Sequence, residues 1–321
     1  MNSFIFSLDY FTINCEGIFK ECIGFKYISN GQTRIFKYNI SVLKDDKLFC
    51  TILHTPLSKI LNTKLIQIKF ENYLLYSSDF FYIKNSFCKL HDFKQVSLSR
   101  VDFAFDFVKF ENNFSGQELW ELLTNNKIRY KGKVTISSLF KYNSEKNKNS
   151  VSYFRFGNHN SNVYIILYDK TKEMNEVKYK EYIMERWKMN NIDVKNNNVW
   201  RLELSLNTND FEINDNGNKF KINANNLNSF EVVQYVGLCL LTKYFRFCYN
   251  DNKNITRCRE LVLLPKYINT TIKKIPSEKT SCRMDKYFIK RLVSEEPYIK
   301  ELGFEITDII NNLKDKYLIK L

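Results

Sequence analysis

The stretch SRVDFAFDF, residues 99–107, decides the fold because large apolar side chains alternate in it with polar or small ones. Side chains on a β-strand point alternately to its two faces. One face therefore carries the apolar set Val101, Phe103, Phe105 and Phe107. The other face carries Arg100, Asp102, Ala104 and Asp106. The pattern predicts an amphipathic strand with one face in the core.

The two carboxylates of this strand, Asp102 and Asp106, would stand about 13 Å apart on an ideal strand that rises ~3.3 Å per residue. They would bind one ion together only if the strand bends or ends near Asp106. A solvent-facing polar side would also explain them. An arginine and aspartate pair, Arg100 and Asp102, next to the small Ala104 is unusual on a strand face that only meets solvent. A functional role for this face is therefore the second interpretation.

Two further strands carry polar groups in the same manner. In VWRLELSL, residues 199–206, one face presents Arg201, Glu203 and Ser205, which fits either a structural ion pair or a carboxylate cluster with Asp102. In VYIILYDKTKE, residues 163–173, the apolar run ends at Tyr168. A free phenol has a pKa of about 10, so this tyrosine would need a nearby cation to act as a nucleophile. An ordinary strand-end tyrosine is the alternative.

Working outward, the chain predicts an α+β fold with a mainly antiparallel sheet and packed helices. Strands are predicted at residues 4–12, 36–43, 65–70, 80–83, 97–107, 152–156, 162–168 and 200–207. Helices are predicted after the capping box of Ser115 and Glu118 and at residues 171–189, 230–245, 284–293 and 306–318. The polar, Asn-rich stretch 210–228 predicts two domains, a β-rich one over residues 1–210 and a helical, basic one over residues 211–321.

Composition favours a polyanionic partner, since 49 Lys and Arg against 35 Asp and Glu give a net charge of +14, and 16% of residues are aromatic. Phosphate neutralisation and base stacking use these residue types, although a genome rich in A and T would also enrich them. The eight cysteines form no CxxC motif, which predicts reduced thiols in a cytoplasmic protein. We expect no signal peptide and no membrane span.

Any metal must be held mainly by carboxylates, because the three histidines His54, His91 and His159 are far apart in the sequence. Carboxylate ligands favour Mg²⁺ or Mn²⁺.

In this order, the three segments resemble the rolling-circle replication initiators of small Gram-positive plasmids, the replication initiation factor family. Relaxases of some conjugative transposons and certain phage initiators are similar. The resemblance covers residues 97–206, about a third of the chain. It rests on the R-V-D-F-A-F-D strand, on F-R-F-G at residues 154–157, on Y-D-K-T-K-E at residues 168–173 and on W-R-L-E-L at residues 200–204.

The resemblance implies origin-specific nicking and joining of DNA, which starts rolling-circle replication of a plasmid, phage or mobile element. Tyr168 would attack the phosphate and become linked to the 5′ end. A divalent metal, Mg²⁺ or Mn²⁺, would be held by Asp102, with Asp106 and Glu203 as further ligands. Arg100, Lys170, Lys172 and Arg201 would stabilise phosphate charge. The implied partners are double-stranded origin DNA with a single-stranded or hairpin nick site, a host helicase and polymerase, and a second copy of the chain.

Two departures from the family pattern stand out. The stretch 68–71, I-K-F-E, replaces the usual R-V-E-F. The segment between Glu173 and Trp200 is longer than usual, which suggests an extra helix at residues 178–189. Origin reading by the C-terminal part would use basic residues, namely Lys253, Arg257, Arg259, Lys273, Lys274, Arg283, Lys286, Lys290 and Arg291. The alternatives are a conjugative relaxase with the same chemistry, a non-catalytic DNA-binding regulator of the same fold and a metal nuclease that uses water.

Overall fold

The computed structural model of the chain describes residues 4–58, 60–132, 135–143, 148–158, 161–207, 211–215, 218–223 and 226–264. The first half is mostly strands, interrupted by helices after the fifth. In chain order these elements are β1 (Ile5–Glu16), β2 (Lys26–Ser29), β3 (Phe36–Lys44), β4 (Lys47–Pro56), β5 (Leu65–Phe70), α1 (Asn72–Leu75), α2 (Phe80–Leu90), β6 (Lys94–Phe107) and α3 (Gly116–Thr124).

The second half alternates between strands and helices. It contains β7 (Ile128–Tyr130), β8 (Ile136–Asn143), β9 (Lys148–Phe156), β10 (Val163–Asp169), α4 (Lys170–Glu176), α5 (Glu181–Met189), β11 (Trp200–Leu206), β12 (Phe211–Asp215), β13 (Asn218–Ile222), α6 (Phe230–Tyr244), β14 (Phe247–Tyr249), a 3₁₀ turn (Ile255–Arg257) and β15 (Glu260–Leu261).

Ten of these strands form one sheet in the order β2-β3-β4-β5-β1-β6-β11-β10-β9-β8. The neighbouring strands pair antiparallel throughout, including the central pairs of β6 with β1 and with β11. β12 pairs with β13, and β7, β14 and β15 form a small third sheet. The predicted α+β fold with a mainly antiparallel sheet is confirmed.

The main core lies on the face of the sheet that carries the apolar residues of β6. Rings of α2 pack there, with Phe80 and Phe87 against Phe70 of β5. Helix α6 approaches so closely that a Cβ on Gly237 would lie 3.0 Å from the rings of Phe103 and Phe105. Glycine therefore allows this helix to touch the sheet. The core face is the one that the alternation in residues 99–107 predicts.

Two predictions of secondary structure are wrong. Residues 80–83 belong to helix α2 and not to a strand, because burial recurs at helical spacing through Phe80, Lys84, Phe87 and Cys88. The single helix predicted at 171–189 is two helices, α4 and α5, separated at residues 177–180, and α5 corresponds to the extra helix suggested at 178–189. Strands β2 and β4 and the hairpin of β12 and β13 were not predicted.

Only one of the three helices predicted after residue 210 lies within the described residues. Helix α6 matches the helix predicted at 230–245, and its residues Val233 and Leu241 join the same core as the sheet. The helices predicted at 284–293 and 306–318 lie outside the described residues. The division into domains at residue 210 remains a prediction.

Among the described residues, no helix is long and apolar enough to cross a membrane. The seven cysteines in the described ranges are free thiols. Five of them are buried: Cys15, Cys50, Cys88, Cys248 and Cys258.

Candidate active site

The three polar strand segments lie side by side at the centre of the large sheet, as β6, β11 and β10. Register brings Asp102 opposite Ser205 and Arg201 opposite Tyr168. Directly paired residues share a face of an antiparallel sheet. The polar residues of the three segments therefore meet on the face opposite the main core.

The Tyr168 hydroxyl lies between a carboxylate and an ammonium group. It donates a hydrogen bond to Oε2 of Glu203 at 3.2 Å and accepts one from Nζ of Lys170 at 3.3 Å. Lys170 also pairs with Glu173, with 2.6 Å between Nζ and Oε2. Tyr168 and Glu203 are half-buried, whereas Lys170 is buried. A phenol thus contacts both a proton acceptor and a positive charge at the sheet surface.

Burial and neighbouring charges shift the pKa values of this cluster. Burial, followed by the negative charges of Asp9 and Asp102, raises the pKa of Glu203 to about 8. Burial and the charge of Glu203 raise the pKa of Tyr168 well above 10. Burial and the charge of Arg201 lower the pKa of Lys170. At neutral pH the phenol is therefore protonated, and the protonated form of Glu203 is favoured as well.

Helix α4 holds Lys170 in place, since this residue begins the helix directly after the end of β10. The side chain of Asp169 is the N-cap and accepts a hydrogen bond from the Lys172 backbone N–H at 2.9 Å. Asn198 donates to the second carboxylate oxygen of Asp169 at 2.9 Å. The strand end, the cap and the helix start thus fix the geometry between Tyr168 and Lys170.

Asp106 belongs to an interior ion pair. The Arg201 guanidinium donates to its two oxygens at 2.6 and 2.7 Å, and the indole N–H of Trp187 donates at 2.8 Å. Asp106 is 1% exposed and Arg201 is fully buried. The Arg201 guanidinium also contacts Asp9 at 2.9 Å and the Tyr76 hydroxyl at 3.0 Å. Arg201 thus has a structural role, because it joins Asp106, Asp9 and Tyr76 beneath the exposed part of this face.

Asp102 is paired with Arg100 in a two-point contact. Nε and an Nη of Arg100 donate to the Asp102 oxygens at 2.8 and 2.6 Å, and the same Nη lies 3.4 Å from the Ser205 hydroxyl. Asp102 is buried, but the Arg100 side chain is 38% exposed. Burial raises the pKa of Asp102, although Arg100 opposes that shift. Arg100 is therefore partly exposed to solvent, whereas Lys170 and Arg201 are buried.

The three predicted metal ligands are not gathered around one point. Asp102 and Asp106 are each held by an arginine, and Glu203 is in contact with Tyr168. Within the described ranges, no group of three His, Cys, Asp or Glu side chains is arranged to hold a metal ion. The present arrangement of these carboxylates does not fit a preformed Mg²⁺ or Mn²⁺ site, and the metal remains a prediction.

Asp9, Tyr76 and Trp187 belong to the site but were not identified from the sequence. Asp9 lies in a β-bulge of β1, between Leu8 and Tyr10, where the pairing with β6 shifts by one residue. The available signal is a break in alternation, since the buried residues of β1 change phase between Leu8 and Phe11. Tyr76 and Trp187 come from helices distant in sequence, and no local pattern indicates them.

The basic residues proposed to read an origin are only partly described. Lys253, Arg257 and Arg259 lie in an exposed segment around the 3₁₀ turn. Arg259 stacks over the Tyr249 ring, with 4.3 Å from Cζ to the ring centroid. The other six candidates lie outside the described residues.

Fold and site together define an α+β protein whose open sheet face presents a tyrosine hydroxyl to a glutamate and a lysine. No protein-family model matches the chain, and no curated protein matches its sequence. Among solved structures, the chain is similar to the Rolling Circle Replication Initiator Protein from Geobacillus stearothermophilus. The similarity covers 80% of this chain and 93% of that chain, with 11% sequence identity and a TM-score of 0.47.

Proposed function

We propose that this chain nicks and rejoins DNA through Tyr168 and thereby initiates rolling-circle replication of a plasmid, phage or mobile element. The observation that carries the proposal is the hydrogen-bond contact of the Tyr168 hydroxyl with Glu203 and Lys170, on a side chain that is half-buried as a whole. The sequence resemblance implies this tyrosine as the nucleophile. The net charge of +14 suits a DNA substrate.

The chemistry follows from these contacts. The Tyr168 O–H bond breaks, its proton passes to the Glu203 carboxylate, and the phenolate oxygen forms a bond to phosphorus. The bond from phosphorus to the 3′ oxygen breaks, and this oxygen takes a proton from solvent to become a hydroxyl. The 5′ phosphoryl group remains on Tyr168, and attack by a 3′ hydroxyl reverses the sequence to rejoin the strand.

Positive charge supports the reaction in two places. Lys170 contacts the Tyr168 oxygen and stabilises negative charge that develops there. Arg100 is partly exposed on the same face and offers N–H groups to a phosphate. Arg201 is fully buried, so in this proposal it positions Asp9 and Asp106 without touching the DNA.

A requirement for Mg²⁺ or Mn²⁺ is a separate proposal. Carboxylate oxygens suit a hard cation by type, and the mutual repulsion of Glu203, Asp9 and Asp102 is a cost that a cation would relieve. Titration calorimetry with MnCl₂ tests this without reference to activity. Heat of binding that disappears in Glu203→Gln supports it, and no heat in the unaltered protein contradicts it.

The experiment for the proposed function is a search for a covalent adduct. The protein is incubated with Mn²⁺ or Mg²⁺ and a labelled hairpin oligonucleotide, and the products are separated on a denaturing protein gel. We expect label on the protein, and we expect none with Tyr168→Phe. The control is Tyr82→Phe, because Tyr82 is an exposed tyrosine of helix α2, which packs on the opposite face of the sheet.

Other outcomes select the alternatives. Cutting without an adduct indicates a nuclease that uses water, and binding without cutting indicates a regulator. A relaxase would give the same adduct, so its distinction from an initiator needs the neighbouring genes. The helicase, the polymerase and a second copy of the chain remain predicted partners.

A further inference from the structure

The open face of the large sheet carries a series of tyrosines in contact with cationic side chains. On one side of the site, the Lys69 Nζ lies 4.9 Å and the Arg100 Cζ 4.5 Å from the centre of the Tyr10 ring. On the other side, the Arg155 Cζ lies 5.2 Å from the centre of the Tyr153 ring and 5.9 Å from that of Tyr164. We call these six residues the tyrosine track: Lys69, Tyr10, Arg100, Tyr164, Arg155 and Tyr153.

Strand register places the whole track on the face that carries Tyr168. Tyr10 pairs with Asp102, and Tyr153 pairs with Tyr168 itself. Thr12 pairs with both Lys69 and Arg100. The track therefore crosses strands β5, β1, β6, β11, β10 and β9 in that order. Five intervals of about 4.8 Å across the strands and an offset of six residues at about 3.3 Å along them give a diagonal of roughly 31 Å, with Tyr168 near its Tyr153 end.

Among the described residues, helices cover only one end of this face. Trp187 of α5 and Tyr76 at the end of α1 cover Asp106 and Arg201. The larger helices α2 and α6 pack on the opposite, apolar face. Five members of the track are half-buried, and Tyr164 alone is buried. The tyrosine track is thus accessible from solvent beside the covered ion pair.

Two polar atoms in and beside the track have no hydrogen-bond partner within the described part of the chain. One is Oγ1 of Thr12, a side chain that is 3% exposed and lies between Lys69 and Arg100 by register. The other is Nε of Arg155. Buried polar atoms are normally paired, so both atoms would gain a partner only if the cationic side chains around them rearranged.

We propose that the tyrosine track binds single-stranded DNA, which runs across the strands on both sides of Tyr168. Bases stack on Tyr10 and Tyr153, and phosphates contact Lys69, Arg100 and Arg155. Alternating aromatic and cationic groups suit an unpaired strand, because its bases expose faces that a duplex hides. The inference rests on the proposed function for the identity of the polymer, and it adds where and in which form the polymer binds.

The test measures binding without chemistry. Fluorescence anisotropy is recorded with a labelled oligodeoxythymidine of about 12 nucleotides, in the Tyr168→Phe background and with EDTA. Tyr10→Leu and Tyr153→Leu should each raise the Kd by about fivefold or more, since stacking on one aromatic ring is lost. Tyr10→Phe keeps the ring and should stay within about twofold of its parent. Lys69→Gln should reduce the slope of log K against log salt by about 0.7.

Controls come from helix α2 on the opposite face. Tyr82 is 76% exposed there and Lys89 is exposed, so Tyr82→Leu and Lys89→Gln should leave the Kd unchanged. Circular dichroism confirms that each variant is folded. Equal losses in track and control variants overturn the inference. Unchanged binding by Tyr10→Leu and Lys69→Gln, or binding of a blunt duplex that is tighter than that of the single strand, overturns it as well.

The binding measurements and the adduct assay can contradict the inference and the proposed function independently of each other. If the adduct forms but the track variants bind normally, the strand takes another path and the nicking proposal stands. If the track variants lose binding but no adduct ever forms, the track is correct and the chain is a single-strand binder without nicking activity.

Discussion

Tyr168 differs from Tyr130 in the neighbours of its hydroxyl group, and within the described part of the chain Tyr76 also contacts a carboxylate and a cation, Asp9 and Arg201. The Tyr168 hydroxyl contacts a glutamate and a lysine, whereas the hydroxyl of Tyr130 donates to the backbone carbonyl of Tyr244. The motif at residues 168–173 predicts which tyrosine to examine. Glu203 comes from another strand, so its contact with the Tyr168 hydroxyl depends on the pairing of β10 with β11.

The pH dependence of nicking should follow Glu203. The reaction needs its carboxylate form, which becomes populated as the pH rises through a pKa of about 8. The rate of adduct formation should therefore increase between about pH 6 and about pH 9 and then level off. Glu203→Gln should be slower by about 100-fold and should lack this rise. A wild-type profile that is flat over the same range would contradict the assignment.

The free energy of unfolding should decrease with pH over the range in which the nicking rate increases. Folding raises the pKa of Glu203 from its ordinary value of 4.5 to about 8, so the folded protein holds more protons than the unfolded chain between these values. The free energy of unfolding therefore falls as the pH rises through this window. Glu203→Gln should be more stable than the unaltered protein by about 4 kcal/mol near pH 8 and nearly equal to it near pH 4.5. Urea unfolding at several pH values measures the difference.

The two aspartates of β6 should behave differently when neutralised. Asp106→Asn leaves the fully buried Arg201 without its two-point partner and should cost about 3 kcal/mol of stability. Asp102→Asn should cost about 1 kcal/mol, because Arg100 is partly exposed and the buried carboxylate is itself costly. Thermal unfolding compares them. Equal losses would contradict the distinction between an interior pair and a site pair.

At the scale of elements, the N-cap of α4 links stability to the site. Asp169→Ala removes the oxygen that accepts from the Lys172 N–H and should cost about 1 kcal/mol. Nicking should slow as well, since Lys170 begins this helix. Asp169→Asn keeps a capping oxygen and should recover most of both losses. Adduct formation and thermal unfolding are measured together, and a rate unaffected in Asp169→Ala would show that the cap does not position Lys170.

The sequence predicted best those elements in which apolar residues recur at one regular spacing or a capping motif marks the start. Strand β6 alternates cleanly, and α3 begins at the predicted capping box of Ser115 and Glu118. Helix α2 was misread because four aromatic and branched residues, 80–83, suit a strand locally, and only the later burial of Phe87 and Cys88 shows the helical period. The bulge at Asp9 was missed because a single extra residue leaves the local composition of β1 unchanged.

For the whole molecule, the α+β class was predictable but the extent of the sheet was not. Strands β2 and β4 are partly exposed and mixed in composition, so neither stands out before pairing with β3 is known. The site was likewise predictable only where a local sequence pattern indicated its residues. Side chains on neighbouring strands could be grouped by motif, whereas the contacts from α1 and α5 depend on tertiary packing.

A chain shortened at residue 210 tests the predicted division into domains. Val233, Val236, Leu240 and Leu241 of α6 are buried in the same core as the sheet. Removing them should expose the apolar face around Phe103 and Phe105 and give an aggregating protein. A chain that ends at residue 264 retains these contacts and should be monodisperse on gel filtration. A folded, monodisperse 1–210 fragment would instead support independent domains.

Asp9 is the extra residue of the β-bulge in β1, and a variant without it would still be able to form this strand. Leu8 and Tyr10 pair with the consecutive residues Phe103 and Asp102, so loss of Asp9 would leave both flanks facing as they do now. A shorter variant would gain a more regular ladder and keep its core. It would lose one anionic neighbour of Arg201 and one source of repulsion on Glu203. A single codon deletion could thus retune the acidity of the reactive centre while leaving the architecture intact.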